Sequence, residues 1–459
     1  MARRAMDAQD ASLEDIPIGP DVALLHTGPI VAEQYARIFT SQHGENLRYV
    51  EAFGSWLVWD EPDGVWRLDN ARAMEIVGDF CLAASNCREK KGEKEKLGSF
   101  SFVFMLERRL RSKLAATVAE WDGNPMLLNT PGPFTIDLET GETRESRRED
   151  RCTKSTAVGA LGPCPLWSRF LDDVCAGSAE RIAYLQRVAG YTATGSTAEQ
   201  CLFFLYGSGQ NGKGVFVRTL AYVLKDYACA AAIETFTAGM QRHLEEIAVL
   251  RGSRLVHTSE TDKTKTWNEA RIKQVTGGDI LRANFMRQNS FEFFSTCKLV
   301  VSGNHKPALT SVDKAVKRRF NLIPFDVEIP DHKRDPELED RLKIEAAGIM
   351  AWIVRGCVEW QLKGLAPPAD VRAATDEYVT AEDLVGSWLE EHCDTGPGHY
   401  EKSSVLFSDP VAGWQHYAKS RGEDPGTLRA LSNELIKRRF MNYNRGFKGI
   451  ALRTHARAE

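Results

Sequence analysis

Gly207-Ser208-Gly209-Gln210-Asn211-Gly212-Lys213, continuing into Gly214 and Val215, has the residue types and spacing to wrap a phosphate chain. The glycines let backbone N–H groups turn inward around oxygens, and Lys213 adds a positive charge that reaches the distal phosphates. Cys201 to Tyr206 is a near-continuous apolar run, as expected of a strand buried on both faces, and an amphipathic helix is predicted after the loop. The N-terminus of that helix adds partial positive charge to the same anion site. A chance glycine-rich turn is the plainer alternative, and the strand–loop–helix setting argues against it. One residue departs from the general pattern. Gly214 stands where a serine or threonine hydroxyl normally meets Mg²⁺, so the ion would need water or an acid in that place.

Phosphoryl chemistry also needs a carboxylate to orient metal and water. Arg254 to Glu260 reads as a short strand ending in an acid, and ligands of open α/β sheets sit at the carboxyl ends of strands. Glu260 is therefore the candidate carboxylate and metal ligand, although a lone acid ending a strand is more often a surface residue. Lys298 to Asn304 is a second such strand, and Asn304 has the chemistry to hydrogen-bond an attacking water or a terminal phosphate. Lys317-Arg318-Arg319 precedes the apolar FNLIPF segment. Either arginine could serve a neighbouring subunit's nucleotide, or both could cap a solvent-facing helix. Between Glu260 and Asn304, a helix is stopped by Gly277-Gly278. Two β-prone segments then flank the polar tip Arg287-Gln288-Asn-Ser290. Such a hairpin, with Arg287, Gln288, Lys273 and Arg282, could hold single-stranded phosphates, or it could be an edge hairpin with solvating charges.

These residues need elements to position them. With 459 residues, 43% apolar and 27% charged, the chain suits about three globular domains. A net charge of -4 gives no overall field for a polyanion, so a nucleic-acid site must be local. The ten cysteines are scattered without metal-ligand spacing, and reduced buried thiols are the simpler reading. Neither a secretory signal nor a bilayer-spanning run is evident, so a soluble, cytoplasmic chain with no membrane partner is expected.

Residues 1–20 read as a flexible tail, and 21–165 as a mixed α+β and helical domain with hairpins at Pro62-Asp-Gly64 and around Gly141. The charged run Glu89 to Lys96 reads as a solvated face. The basic run Glu107 to Lys113 suits either DNA or an exposed amphipathic helix. Residues 166–365 open with apolar residues at helical spacing (Phe170, Leu171, Val174; Ile182, Leu185, Val188). They then alternate strands and helices as a parallel α/β sheet does. Past the linker Gly364 to Pro368, residues 366–459 read as three helices and a two-stranded hairpin around Arg445 to Gly449, the winged-helix order. Lys437, Arg438, Arg439 and Lys448 concentrate there, on the third helix and the wing, where a winged helix usually meets duplex DNA. Protein docking is the alternative use of such a domain.

The blocks GSGQNGKG, SETD, NEARIKQVTGGD, FEFFSTCKLVVSGNHKP and RRFNLIPF occur in the order seen in superfamily 3 helicases, and most resemble phage and plasmid primase-helicases related to the poxvirus enzyme. PMLLNTPGPFTIDLETGE and LQRVAGYTATG resemble the region that precedes the motor in that family. The resemblance runs from about Leu47 to Glu459. It implies an AAA+-like P-loop motor, a homo-hexameric ring that uses ATP and Mg²⁺ to move on single-stranded DNA in its channel. By position, Lys213 falls in the Walker A loop and Glu260 on the Walker B strand. Asn304 falls at sensor 1, and Arg318 or Arg319 at the arginine finger. Longer relatives carry a polymerase-type primase domain in front. Too few residues precede Leu47 for one, and no paired-aspartate strand is present, so unwinding without priming, and a separate primase, are expected. The C-terminal domain suits duplex origin DNA. An initiator that uses ATP only to assemble on an origin, with little unwinding, is the competing reading. A signalling or scaffolding P-loop protein is a more distant one.

Overall fold

Apolar residues alternate along the strand ahead of the phosphate loop, and the two sets go to different cores. Leu202 and Phe204 join one cluster, Phe203 and Leu205 the other, as the two-residue period of a strand requires. The computed structural model describes residues 23–239, 244–259, 265–284, 290–309, 314–330, 334–422 and 424–453.

The N-terminal part comprises α1 (Ala23–Thr27), α2 (Ala32–His43), the strands β1 (Leu47–Val50), β2 (Ser55–Asp60) and β3 (Val65–Leu68), and then α3 (Asn70–Asn86), α4 (Lys91–Leu97) and α5 (Phe100–Lys113). β1, β2 and β3 form an antiparallel sheet with the expected turn at Pro62 to Gly64. Its core joins Tyr35, Phe39, Trp56, Phe80 and Leu106. On α5, Glu107 is buried and accepts from the Trp56 indole at 2.7 Å, while Arg109 and Lys113 pair with Glu33. Those two charges of the basic run are satisfied within the chain, which favours the amphipathic-helix reading.

A second antiparallel sheet, β4 (Leu127–Thr130), β5 (Phe134–Asp137) and β6 (Glu142–Glu145), turns at Gly141 as expected. Its apolar face does not close a separate domain. Leu128, Ile136 and Leu138 join the core built by α6 (Pro165–Val174) and α7 (Ala179–Ala193).

The central unit follows as β7 (Leu202–Tyr206), α8 (Lys213–Leu224), β8 (Ala228–Ala230), α9 (Leu244–Ala248), β9 (Leu255–Ser259), α10 (Glu269–Thr276), β10 (Ile280–Asn284), β11 (Ser290–Phe294), β12 (Lys298–Gly303), α11 (Lys314–Lys317) and β13 (Phe320–Pro324). It closes with α12 (Leu338–Ile344), α13 (Ala346–Lys363) and α14 (Ala369–Glu382). Five strands form one parallel sheet in the order β13-β7-β12-β9-β8. α7, α8 and α13 pack with one cluster, and α10, α14 and the β10–β11 hairpin with the other. α14 lies beyond the proline linker yet sends Ala374, Tyr378 and Val379 into the sheet's core, and Thr375 Oγ1 accepts from Leu322 N of β13 at 3.0 Å.

The remaining elements are α15 (Leu384–His392), β14 (Cys393–Lys402), α16 (Ser403–Ser408), α17 (Trp414–Ser420), α18 (Leu428–Lys437), β15 (Met441–Tyr443) and β16 (Gly446–Leu452). They close their own core around Trp388, Trp414, Leu435 and Phe447. The sheet order β14-β16-β15 adds a strand to the expected two-stranded hairpin. Cys393 to Lys402 holds two glycines and a proline, the composition of a loop. It pairs along one edge with an irregularity between Thr395 and Tyr400, where an edge strand tolerates proline. No helix among the described residues is long and apolar enough to cross a membrane.

Candidate functional site

The loop between β7 and α8 is held from three sides. Gly212 takes φ +83°, and a Cβ there would lie 2.5 Å from Val174 on α6, so only glycine fits both the backbone and the packing. At Gly207 a Cβ would lie 2.2 Å from the Asn211 amide nitrogen and 2.3 Å from the Phe325 carbonyl oxygen. Asn211 is buried and donates to that carbonyl at 2.6 Å, tying the loop to the residue that follows β13, the strand beside β7. Trp167 of α6 stacks on Phe216 of α8 with ring centroids 5.6 Å apart, so the lead-in helix braces the phosphate-loop helix. Lys213 is 7% exposed. Its ammonium donates to Gly207 O at 2.9 Å and to Asn211 Oδ1 at 2.8 Å, and burial lowers its pKa below the ordinary lysine value. Both bonds go to neutral oxygens, so the charge remains available to an anion.

A cavity of about 440 Å³ opens over this loop. Gly209 to Val215, Arg218, Ser259 and Ser302 to His305 line it, and no carboxylate is among these described residues. Parallel pairing aligns Ser259 with Ser302 and Gly303 with Tyr206, so β7, β12 and β9 end at one level. Asn304 reaches the cavity. Glu260, which follows Ser259, lies outside the described residues. Gly207 and Ser208 precede the residues that line the cavity. A polyphosphate fits: the described lining carries cations and no acid, and at Gly207 and Gly212 the cradle has no room for a side chain. For Mg²⁺ the described side-chain oxygens of the lining are those of Gln210, Asn211, Ser259, Ser302 and Asn304, with nothing from position 214.

Arg318 and Arg319 lie at the other end of the sheet. Phe320 pairs with Leu202, the first residue of β7, whereas the phosphate loop follows its last. Arg318 is exposed and donates to Gln200 Oε1 at 3.0 Å. Arg319 is 7% exposed and donates to Ala315 O at 2.6 Å.

The β10–β11 hairpin pairs Ile280 with Phe294 through Asn284 with Ser290. Leu281, Ala283, Phe291 and Phe293 enter the core, leaving Arg282 and Glu292 opposite one another on the outer face. Arg282 donates to Ser290 Oγ at 3.0 Å. Lys273 sits half-buried on α10. Arg287 and Gln288 lie outside the described residues.

In the C-terminal unit Lys437, Arg439 and Lys448 are exposed, and Lys448 lies 3.8 Å from the centre of the Tyr443 ring. Arg438 differs. It is turned onto Asp383, which caps α15, and onto Glu434 at 3.5 Å, so it joins α18 to α15. Sequence reasoning passed over Arg218, although its place four residues after Gly214 puts both on one helix face.

Residues 36–176 match the family described as D5 N terminal like, and residues 205–319 match a family of unknown function (DUF5906). A protein of Acanthamoeba polyphaga mimivirus, named as a candidate helicase, is 24% identical over 239 residues, covering 47% of this chain and 25% of its own length. A second protein so named, from Frog virus 3 (isolate Goorha), is 24% identical over 299 residues, covering 60% of this chain and 30% of its own. The chain thus spans only about a quarter to a third of the length of these curated relatives. Among solved structures, the apo C-terminal region of NrS-1 (305–718) superposes with a TM-score of 0.46 at 12% identity, over 91% of this chain and 99% of that one. The chain therefore carries a D5 N-terminal-like segment beside a five-stranded parallel sheet, and it is distantly similar to two viral proteins named as candidate helicases.

Proposed function

We propose that this chain is an ATP-dependent DNA helicase of a phage, plasmid or similar mobile element, working as a hexameric AAA+-like ring of superfamily 3 type. The observation that carries the reading is the convergence of the phosphate loop with the ends of β9 and β12 on one cavity, whose described lining includes Lys213 and Arg218. In this reading Lys213 and the loop amides hold the phosphates, Asn304 orients the attacking water, and Glu260 activates it and holds Mg²⁺. ATP supplies the phosphoryl group whose hydrolysis drives the motor. Arg318 and Arg319 lie at the far end of the sheet from their own phosphate loop, which favours action on a neighbour's nucleotide and hence a ring. Of the two, the exposed Arg318 is the better finger, because Arg319 is folded into its own subunit. The hairpin is anchored in the core and reaches single-stranded DNA with its tip.

For the division of the chain, the reading takes a tail, an N-terminal unit, a motor extending through α14, and a winged-helix unit from about Leu384 that meets duplex origin DNA. The decisive experiment is the ATPase rate with and without single-stranded DNA, with Lys213→Ala as the blank. Strong stimulation that vanishes in the variant is expected. A lysine-dependent rate indifferent to DNA would favour the initiator, for which the separate C-terminal core with its exposed Lys437, Arg439 and Lys448 already speaks. Under the helicase reading Arg287→Ala should abolish unwinding, and under both readings it should leave origin binding intact.

A further inference from the structure

Gly214 leaves room beside the phosphate loop, and that room is filled. A Cβ on Gly214 would lie 2.6 Å from Arg218 Nη1 and 3.2 Å from its Cζ and Nη2. Side chains on a helix lean towards its N-terminus, so Arg218 lies back over the first turn of α8 and its guanidinium joins the lining of the phosphate cavity. A cation there is unfavourable in isolation, since the N-terminus of a helix is itself partially positive. Glu339 of α12 offsets this: its two carboxylate oxygens accept from Arg218 Nε at 3.1 and 3.0 Å, and Nη2 also donates to it. The pair is open to solvent, with side-chain exposures of 58% for Arg218 and 36% for Glu339. Exposed pairs of this kind are worth little and are readily exchanged. The charge is felt on the neighbouring strand, where burial and then Arg218 lower the pKa of His257 on β9.

We propose that Arg218 is a phosphate-binding residue of the nucleotide cavity, occupying the space that a hydroxyl side chain at position 214 would take, and that Glu339 holds it until phosphate replaces the carboxylate. The inference rests on the phosphate-loop reading and adds to it. A guanidinium suits phosphate oxygens through paired N–H donors. It also neutralises charge that Mg²⁺ would otherwise have to offset, so ATP binding should depend less on the metal than a hydroxyl-bearing loop would require.

ATP binding, measured by calorimetry on the full chain in Mg²⁺ and in EDTA, tests this without relying on turnover. Arg218→Ala should weaken ATP binding about tenfold, as expected for loss of a charge-assisted hydrogen bond, and more in EDTA than in Mg²⁺. Arg218→Lys should recover part of the loss. Glu339→Gln should act in the opposite direction, tightening ATP about two- to fivefold by removing the competing carboxylate. Gly214→Ser should weaken binding beside Arg218 but have no effect in the Arg218→Ala background. Unchanged affinity in Arg218→Ala, or weakening by Glu339→Gln, would overturn the inference and leave the pair a merely structural tie. If Lys213→Ala abolishes binding while Arg218→Ala does not, the phosphate-loop reading stands and this inference falls. Failure of the unsubstituted chain to bind ATP would remove both.

Discussion

Arg318 and Arg319 are neighbours in the chain with opposite surroundings, and the difference predicts opposite phenotypes. Arg319→Ala removes a buried guanidinium that donates to Ala315 O, so it should lower the melting temperature, at a cost of about 1–3 kcal/mol. Arg318→Ala should leave melting unchanged and reduce steady-state ATP turnover on the order of a hundredfold or more, with ATP binding intact. If the two variants behave alike, the separation of roles is wrong. Cysteine reactivity is decided by burial in the same way. Burial pushes the thiols of Cys81, Cys297 and Cys393 up to about 12, so hardly any thiolate exists at neutral pH. A thiol reagent should label the half-buried Cys87 first and reach those three only as the protein unfolds. Early labelling of Cys297 in the native protein would contradict the packing.

Among the elements, α7 and α13 approach closely enough that only glycine fits between them. A Cβ on Gly190 would lie 2.0 Å from Cys357 N, and one on Gly356 would lie 2.0 Å from Gln186 O. The atoms met are backbone, which cannot rotate away. Gly356→Ala should therefore destabilise the protein by about 1–3 kcal/mol or more. Thermal melting reads this directly, and a wild-type midpoint would mean that the helices are free to separate. The same two helices bear on the phosphate loop through their shared core with α6 and α8, so the variant should also weaken ATP binding.

For the whole molecule, the C-terminal unit has its own core, and the pair of Arg438 with Asp383 ties α18 to the start of α15 within it. Arg438→Ala should loosen that tie and lower stability without changing the salt dependence of duplex binding. Lys437→Ala and Lys448→Ala should each reduce the slope of log affinity against log salt by about one, as loss of a phosphate contact does. Equal slopes in all three variants would argue that this unit meets protein and not DNA.

Local chemistry was enough to read the strand, loop and helix around Lys213, the strands β9 and β12 and both N-terminal hairpins. Their signals are short in range: a buried apolar run, glycines at set places, a polar tip between β-prone segments. Residue spacing also placed Lys213, Asn304 and the arginine pair as candidates. It could not tell Arg318 from Arg319, because burial depends on which residues from elsewhere in the chain cover a side chain. Nor could it assign α14, whose apolar face finds β13 across a proline linker that looks like a boundary. β14 was hidden for a related reason. Its glycines and proline argue for a loop, and only the free edge of β16 makes a strand of it. Arg438 looked like one basic residue among several until folding brought Asp383 beside it. Arg218 became visible only when the missing Cβ of Gly214, the cavity and Glu339 on a distant helix met at one point. Periodicity and turn chemistry act between near neighbours and are written in the chain. Steric exclusion and charge pairing act between residues far apart in sequence, and only the tertiary structure brings them together.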